Sequence, residues 1–240
     1  MIGMTAMVDA RDLTKTFMLH HQGGVRLSVL SGFDVAAGAG ECVALHAPSG
    51  AGKSTVLRLI YGNYRLDRGQ ILVRHGEGVV DVATVPPRTM LEVRRRTIGY
   101  VSQFLRAVPR VATLDVVTEP LRALGLRAAE AGARGRALLA RLGIAERLWS
   151  ISPATFSGGE QQRVNLARGF VAEYPILLLD EPTAALDAAS RRIVVELIGE
   201  ARQRGAAILG AFHDAEVREA VATRVVEFHG HPLRAWEVIR

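Results

Sequence analysis

The sequence predicts an α/β fold with a mostly parallel core sheet, an antiparallel β subdomain and an inserted helical subdomain. Between residues 176 and 228, apolar segments of strand length alternate with segments of helical periodicity, which indicates a parallel sheet covered on both faces. Short alternating segments near the start of the chain indicate antiparallel strands. Residues 114–148 have helical periodicity and contain no strand pattern, so this stretch is the inserted helical part.

The individual elements follow from turn residues and periodicity. The predicted antiparallel elements are strands at residues 8–13, 26–30 and 33–35, a glycine-rich turn at 23–24, and a hairpin of 70–74 with 79–82. The other predicted strands are 43–45, 98–102, 176–180, 206–212 and 224–228. One helix is predicted to begin after residue 55 and to end near Gly62, and the others cover 90–96, 159–171, 188–204 and 215–222. Residues 114–148 are predicted to form helical pieces that break at Pro120, Gly125 and Gly143. We therefore predict one domain over residues 1–240, with the helical subdomain at about 105–155.

Residues 47–55 form a glycine-rich segment between a short apolar strand and a helix. Successive backbone N–H groups in such a loop, together with the N-terminus of the next helix, converge on phosphate. We expect Lys53 to reach the β- and γ-phosphates and Ser54 to ligate Mg²⁺. Ala47 stands where the template of this loop has glycine, so a positive φ there would cause strain. The alternative is a chance turn rich in glycine and serine. The expected phosphate-binding residues are Pro48, Ser49, Gly50, Ala51, Gly52, Lys53, Ser54 and Thr55.

The apolar segment 176–179 is followed at once by two carboxylates, Asp180 and Glu181. Ligands of open α/β sheets bind at the carboxyl ends of strands. Asp180 is suited to hold Mg²⁺ through water, and Glu181 to orient or deprotonate a water that attacks the γ-phosphate. Two solvated acids at the end of a strand are the alternative.

A second candidate anion site lies at residues 156–163, where a helix is predicted to begin. Ser157 and Glu160 have the spacing of a capping box, which is a purely structural interpretation. Capping alone does not require Gly158-Gly159, which would expose backbone N–H groups to an anion at the start of the helix.

Composition excludes several classes of protein. The chain has 240 residues and a net charge of +6, but its arginines are scattered and carry no interleaved aromatics, so nucleic-acid binding is not expected. No apolar run reaches the roughly 18 residues that span a bilayer, and no signal peptide is recognisable. Cys42 is the only cysteine and is expected to be a small buried side chain rather than a reactive thiol. We expect a cytoplasmic protein.

Residues 156–163 resemble the signature of the ATP-binding-cassette family, with Phe156 where leucine is usual and Glu160 where glutamine often stands. Other landmarks of that family occur in the same order. They are Phe17, which matches the aromatic that stacks on adenine, Gln103 of the glutamine loop, the D-loop residues 185–187, and His213 of the switch. The resemblance covers essentially the whole chain and implies a P-loop NTPase of ATP-binding-cassette type.

This resemblance implies ATP and Mg²⁺ as cofactors and a second cassette subunit as partner. The two subunits would pair head to tail, as a homodimer or a heterodimer, so that the loop of one and Ser157-Gly158-Gly159 of the other enclose each ATP. The implied catalytic residues are Glu181, His213 and Lys53. The implied ATP-binding residues outside the loop are Phe17, Gln103, Ser157, Gly158, Gly159, Glu160 and Asp187. The implied metal ligands are Ser54, Gln103 and Asp180.

Within the family, several stretches are similar to the L subunit of the bacterial phosphonate carbon-phosphorus lyase system. They are residues 61–64, 74–77, 101–106, 146–149, 165–170 and 211–214. That system is associated with formation of ribose 1-phosphonate 5-triphosphate from ATP and an alkylphosphonate, and the resemblance implies the other lyase subunits as partners. Two alternatives stay open. One is the ATP-binding subunit of a transporter with a separate permease, the only case that implies a membrane. The other is a nucleotide-gated assembly subunit.

Two further expectations concern surfaces. Phe104 and Trp149 lie either on a docking surface or in the core of the helical subdomain. The run Arg94-Arg95-Arg96 is interpreted as a solvated helix face rather than a phosphate-linked cluster.

Overall fold

The computed structural model of this chain describes residues 6–19, 25–106 and 109–227. The strands are β1 (Ala6–Leu19), β2 (Val25–Gly38), β3 (Cys42–His46), β4 (Arg68–His75), β5 (Gly78–Asp81), β6 (Ile98–Val101), β7 (Ile176–Asp180), β8 (Ala207–Ala211) and β9 (Arg224–Glu227). The α-helices are α1 (Lys53–Ile60), α2 (Pro87–Arg96), α3 (Thr113–Ala123), α4 (Ala128–Arg141), α5 (Gly158–Phe170), α6 (Ala188–Gln203) and α7 (Ala215–Val221). The predicted turn at Gly23-Gly24 and the predicted strand residue Phe228 lie outside the described residues.

The core sheet has the order β6-β7-β8-β3-β9, and all of its neighbouring strands are parallel. The predicted mostly parallel sheet is therefore confirmed. Every residue of β7 and β8 is buried, as expected for strands that are covered on both faces. Because the strands are parallel, the segments after β3, β6, β7 and β8 leave the sheet at one edge.

Alternation along β7 divides the core into two parts. Ile176 and Leu178 pack with α1, α2 and the antiparallel sheet. Leu177 and Leu179 pack on the other face, with α5, α6, α7 and the helices of the insert. A strand whose successive side chains enter two different cores must be apolar throughout, which explains the uninterrupted Ile-Leu-Leu-Leu sequence.

The second sheet is antiparallel, with the order β2-β1-β4-β5. The prediction of two separate strands at 26–30 and 33–35 is wrong, because β2 continues from Val25 to Gly38. Its pairing with β1 shifts register at several points between Ala10 and Thr16, and Gly32 has a φ of +70°. The glycine therefore accommodates an irregularity within the strand rather than a turn that ends it. The predicted hairpin is confirmed as β4 and β5.

Helices alone form the described part of the insert, as predicted: α3 and α4, followed by two short 3₁₀ segments at Glu146–Leu148 and Pro153–Thr155. The predicted break at Pro120 is wrong, because α3 continues through Pro120 to Ala123. Proline lacks the N–H that would bond the Val116 carbonyl. Pro120 lies on the buried face of α3, and the helix continues past it with this one bond missing. Breaks at Gly125 and Gly143 are confirmed, and both glycines have positive φ. No helix in the described ranges is long and apolar enough to cross a membrane.

Candidate functional site

The glycine-rich loop connects β3 to α1 at the edge where the parallel strands end. Gly50 and Gly52 have φ values of +77° and +106°, a left-handed conformation that side chains disfavour. Ala47 is not among the residues with positive φ, so this departure from the glycine template causes no such strain. No side chain caps the first turn of α1, which leaves its N–H groups to other acceptors. The Lys53 ammonium donates to the carbonyls of Ala47, at 2.8 Å, and Pro48, at 3.0 Å.

Asp180, at the end of β7, meets the loop directly. Its side chain is fully buried, and the Ser54 hydroxyl donates to its Oδ1 at 2.6 Å. The Tyr100 hydroxyl donates to its Oδ2 at 3.0 Å. Burial and then the Asp180 charge raise the pKa of Tyr100, so the phenol stays protonated. The loop and β7 thus come together as the sequence predicts, but Tyr100 was not predicted. Nothing in the sequence marks it, because its role depends on the pairing of β6 with β7.

Glu181 lies next to this carboxylate and contacts Gln103. The Gln103 amide nitrogen donates to Glu181 Oε2 at 3.1 Å, which brings the predicted glutamine loop to the predicted base. Glu181 has a φ of +50°, and its backbone N–H donates to the Ala211 carbonyl at 2.9 Å. A non-glycine residue in this conformation is strained, and such residues concentrate at functional sites.

The loop that carries Gln103 is held by one hydrogen bond from α5 and by one within the loop itself. Asn165 of α5 donates to the Ser102 carbonyl at 2.6 Å, and the Ser102 hydroxyl donates to the Phe104 carbonyl at 2.7 Å. Because α5 begins at the signature, Asn165 links Gln103 to the helix that carries Ser157-Gly158-Gly159.

His213 follows β8 and is exposed. No hydrogen bond among the described residues joins it to Glu181. The next residue, Asp214, caps α7 and accepts a bond from Arg191 at 2.7 Å. Arg191 also donates to the Leu186 carbonyl, beside Asp187, which caps α6 by accepting from the Ser190 N–H at 2.7 Å. Arg191 thus connects the D-loop to the switch segment, and no motif in the sequence predicts this contact.

The signature is at the N-terminus of α5, and its capping box is confirmed. Ser157 accepts from the Glu160 backbone, and the Glu160 carboxylate accepts from the Ser157 N–H at 3.0 Å and hydroxyl at 2.6 Å. These bonds hold the pKa of Glu160 below its usual value. A Cβ on Gly159 would come within 3.1 Å of the Ala185 carbonyl, so the signature packs against the D-loop. Among the residues that the structure describes, none of the hydrogen bonds of Ser157 reaches residues 47–55.

Phe17 lies in β1 and is half-buried. Its ring meets the edge of the Tyr64 ring, with centroids 5.2 Å apart, and the Lys15 ammonium is 5.2 Å from its centroid. Phe17 is therefore an anchored aromatic on the antiparallel sheet.

The oxygens at this edge of the sheet fit Mg²⁺ bound together with a nucleotide. In the described ranges, no group of three or more His, Cys, Asp or Glu side chains could hold a metal. Mg²⁺ with a nucleotide commonly takes one or two protein oxygens, with phosphate and water supplying the rest. Ser54 and Asp180 present such oxygens, and the Gln103 amide oxygen is not used in the bond to Glu181, which its nitrogen makes.

The remaining expectations have mixed outcomes. Cys42 is completely buried, as predicted. Trp149 belongs to the core and donates to the Ile144 carbonyl at 2.9 Å, whereas Phe104 is 73% exposed. The interpretation of the arginine run as solvated is wrong for Arg94, which donates to the Tyr61 carbonyl at 2.9 Å and lies 4.8 Å from the centroid of the Tyr61 ring.

Comparison with known proteins agrees with this geometry. A profile of the family described as ABC transporter matches residues 30–184. The chain is 34% identical over 224 residues to the lipoprotein-releasing system ATP-binding protein LolD of Legionella pneumophila, covering 93% of this chain and 96% of that protein. It is 36% identical over 221 residues to the macrolide export ATP-binding/permease protein MacB of Brucella melitensis, covering 92% of this chain but only 33% of MacB.

Among solved structures, the ATP-binding cassette MJ0796, a dimer bound to ADP and Pi, matches with a TM-score of 0.84 and 26% identity, covering 98% of this chain and 99% of that one. The chain belongs to the ABC transporter family.

Proposed function

We propose that this chain binds ATP with Mg²⁺ at residues 47–55 and hydrolyses it within a head-to-tail pair of cassettes. The observation that carries this proposal is the convergence of Ser54, Asp180, Glu181 and Gln103 through hydrogen bonds of 2.6 Å and 3.1 Å. Lys53 would contact the β- and γ-phosphates, with the loop N–H groups around them. Mg²⁺, when bound, would neutralise charge on these phosphates, and Ser54, Asp180 and Gln103 would hold it directly or through water.

Glu181 is the proposed general base, because its carboxylate stands beside Asp180 and is oriented by Gln103. His213 would contact the γ-phosphate after closure. Phosphoryl transfer needs mainly positioning and charge stabilisation, and these side chains with the loop supply both. Phe17 would stack on adenine.

Ser157, Gly158 and Gly159 would complete the site of the partner subunit, with Glu160 and Asp187 nearby. Support comes from their position, since Ser157 and Gly158 are exposed and Ser157 is bonded only within its own helical turn among the described residues. The pair would be a homodimer or a heterodimer with another cassette.

For the partner assembly, we propose the phosphonate carbon-phosphorus lyase system in the cytoplasm. The stretches similar to its L subunit support this assignment, and one of them includes the exposed Phe104 beside Gln103. A partner contacting Phe104 would reach the ATPase site through Gln103. The displacement chemistry on ATP and the phosphonate would belong to another subunit.

The second candidate is the motor of a transporter with a separate membrane permease. The names of the relatives favour it: LolD is the ATP-binding protein of a lipoprotein-releasing system and matches at nearly full length. A third possibility is an assembly subunit whose nucleotide holds partners together without a required hydrolysis cycle.

Growth of a deletion strain on a phosphonate as the sole phosphorus source separates these candidates. The lyase assignment predicts loss of growth, restored by the wild-type gene and not by the Glu181→Gln gene. Normal growth of the deletion strain would contradict the lyase assignment. Restoration by Glu181→Gln would favour the assembly subunit, and co-purification with a membrane protein would favour the transporter.

A further inference from the structure

Tyr100 holds the side of the Asp180 carboxylate that the phosphate loop does not contact. In the parallel pairing of β6 with β7, Tyr100 lies opposite Leu178, two positions before Asp180. Its hydroxyl therefore reaches Oδ2 at 3.0 Å, while Ser54 takes Oδ1 at 2.6 Å. A carboxylate can rotate about its last bond with little preference, so two donors on opposite oxygens fix an orientation that one donor would leave free.

Tyr100 is itself held by neighbours from α1 and the segment after it. The Tyr61 ring packs on the Tyr100 ring at a centroid distance of 5.0 Å. The Arg58 guanidinium interacts with the Tyr100 hydroxyl, and this contact is the largest cause of the raised pKa of Arg58. Arg58 also donates to the Tyr64 hydroxyl at 2.9 Å, and the Tyr64 ring contacts Phe17. A continuous set of contacts thus joins the aromatic at Phe17 to the carboxylate of Asp180.

We propose that Tyr100 is a positioning residue of the ATPase site, whose hydroxyl orients the Asp180 carboxylate toward Ser54 and the metal of bound MgATP. The inference rests on the proposed function, in which Asp180 and Ser54 hold Mg²⁺. Ser54 can donate its proton to Asp180 while its lone pairs face the metal. Tyr100 then supplies the donor on Oδ2, the Asp180 oxygen that Ser54 does not contact.

The alternative is that the Tyr100 hydroxyl only satisfies a buried charge. The two roles differ in what they affect. A structural hydroxyl contributes to folding and to nucleotide binding with or without metal, whereas a positioning hydroxyl contributes to the part of the ATP affinity that depends on Mg²⁺. The test therefore compares ATP affinity in Mg²⁺ with ATP affinity in EDTA.

The experiment titrates ATP into the Tyr100→Phe variant made in a Glu181→Gln background, in which hydrolysis is expected to be slow enough for equilibrium titration. Phenylalanine keeps the ring against Tyr61 and removes only the hydroxyl. A hydrogen bond to a charged group is worth about tenfold in an equilibrium constant, so we expect the gain in affinity from Mg²⁺ to fall by about that factor. The affinity in EDTA should stay unchanged. Tyr61→Phe is the matched control, because Tyr61 belongs to the same cluster and does not bond Asp180; it should match the parent.

Arg58→Gln is a second variant, which removes the cation beside the Tyr100 hydroxyl and should lower the Mg²⁺ gain in the same direction. An unchanged Mg²⁺ gain in Tyr100→Phe, or equal losses in Mg²⁺ and EDTA, would overturn the inference. If Tyr100→Phe does not fold, an unchanged gain in Arg58→Gln overturns it. A parent protein whose ATP affinity does not respond to Mg²⁺ would instead contradict the proposed metal site itself.

Discussion

At the scale of single residues, Glu181 combines strain with a defined polar contact. Its positive φ places the carboxylate beside Gln103, and a conformation that costs about 1–3 kcal/mol is retained only where the surroundings enforce it. The Ala211 carbonyl bonded to its N–H is part of that enforcement. These observations favour a role in catalysis over a solvated acid at a strand end.

We expect Glu181→Gln to bind ATP as the wild type does and to hydrolyse it at least about 100-fold more slowly, because a general base contributes factors of this size. The amide keeps the shape of the side chain and cannot accept the proton. Equilibrium binding and phosphate release measure the two effects separately. Glu173→Gln is the control, since Glu173 lies away from the site and should leave both unchanged. Undiminished turnover of Glu181→Gln would remove Glu181 from the role.

The single thiol offers a second test. Burial raises the pKa of Cys42 from an ordinary value of 9.0 to about 12. The native protein should therefore react with a thiol reagent at pH 8 far more slowly than the denatured protein. Both rates are measured by the absorbance of the coloured group that the reagent releases. Because the pKa of Cys42 is higher in the folded protein than in the unfolded chain, the protonated thiol contributes to the free energy of unfolding below about pH 9. This contribution is lost as the pH rises toward 12. Rapid native labelling would contradict this environment for Cys42.

At the scale of elements, hydrophobic periodicity predicted the strands of the core sheet well. The effects of single glycine and proline residues were predicted less well. β7 could be predicted because both of its faces are buried, so its run of apolar residues is unmistakable. β2 and α3 could not, because the effect of Gly32 and Pro120 depends on their partners. Gly32 ends no strand because β1 pairs on either side of it, and Pro120 ends no helix because it is packed on the buried face of α3.

The start of α5 provides a prediction at this scale. Ser157→Ala removes the capping hydroxyl and should lower the free energy of unfolding by about 1 kcal/mol, which corresponds to about 2–4 °C in Tm. Glu160→Gln is the matched control, since glutamine also completes a capping box and should cost less. Because the pKa of Glu160 is lower in the folded protein, its carboxylate contributes to the free energy of unfolding above the ordinary carboxylate pKa, and this contribution is lost as the pH falls. Equal Tm for Ser157→Ala and the wild type would show that the cap does not stabilise the fold.

At the scale of the whole molecule, the sequence predicts two anion sites, and the described structure brings only one of them together. The loop, Asp180, Glu181 and Gln103 are joined by hydrogen bonds, because parallel strands deliver them to one edge. Ser157-Gly158-Gly159 is held by its own capping box and the D-loop. The residues of the phosphate-loop half of the site could therefore be predicted from the sequence. Tyr100 and Arg191 could not, because their roles depend on contacts between elements that are distant in sequence.

A head-to-tail pair makes a prediction that a self-contained site does not. Mixing Lys53→Ala chains with Ser157→Arg chains gives mixed pairs in which both changes fall in one composite site, so the other site is intact. Each chain alone should be inactive, and random pairing should restore about a quarter of the sites. The measurements are phosphate release and ATP-dependent pairing by light scattering.

Mixing Lys53→Ala with Glu181→Gln is the control: both residues belong to the same half-site, so every composite site keeps one defect and no activity returns. Equal recovery in the two mixtures would contradict the head-to-tail arrangement, and recovery in the first alone would identify the pair as a homodimer.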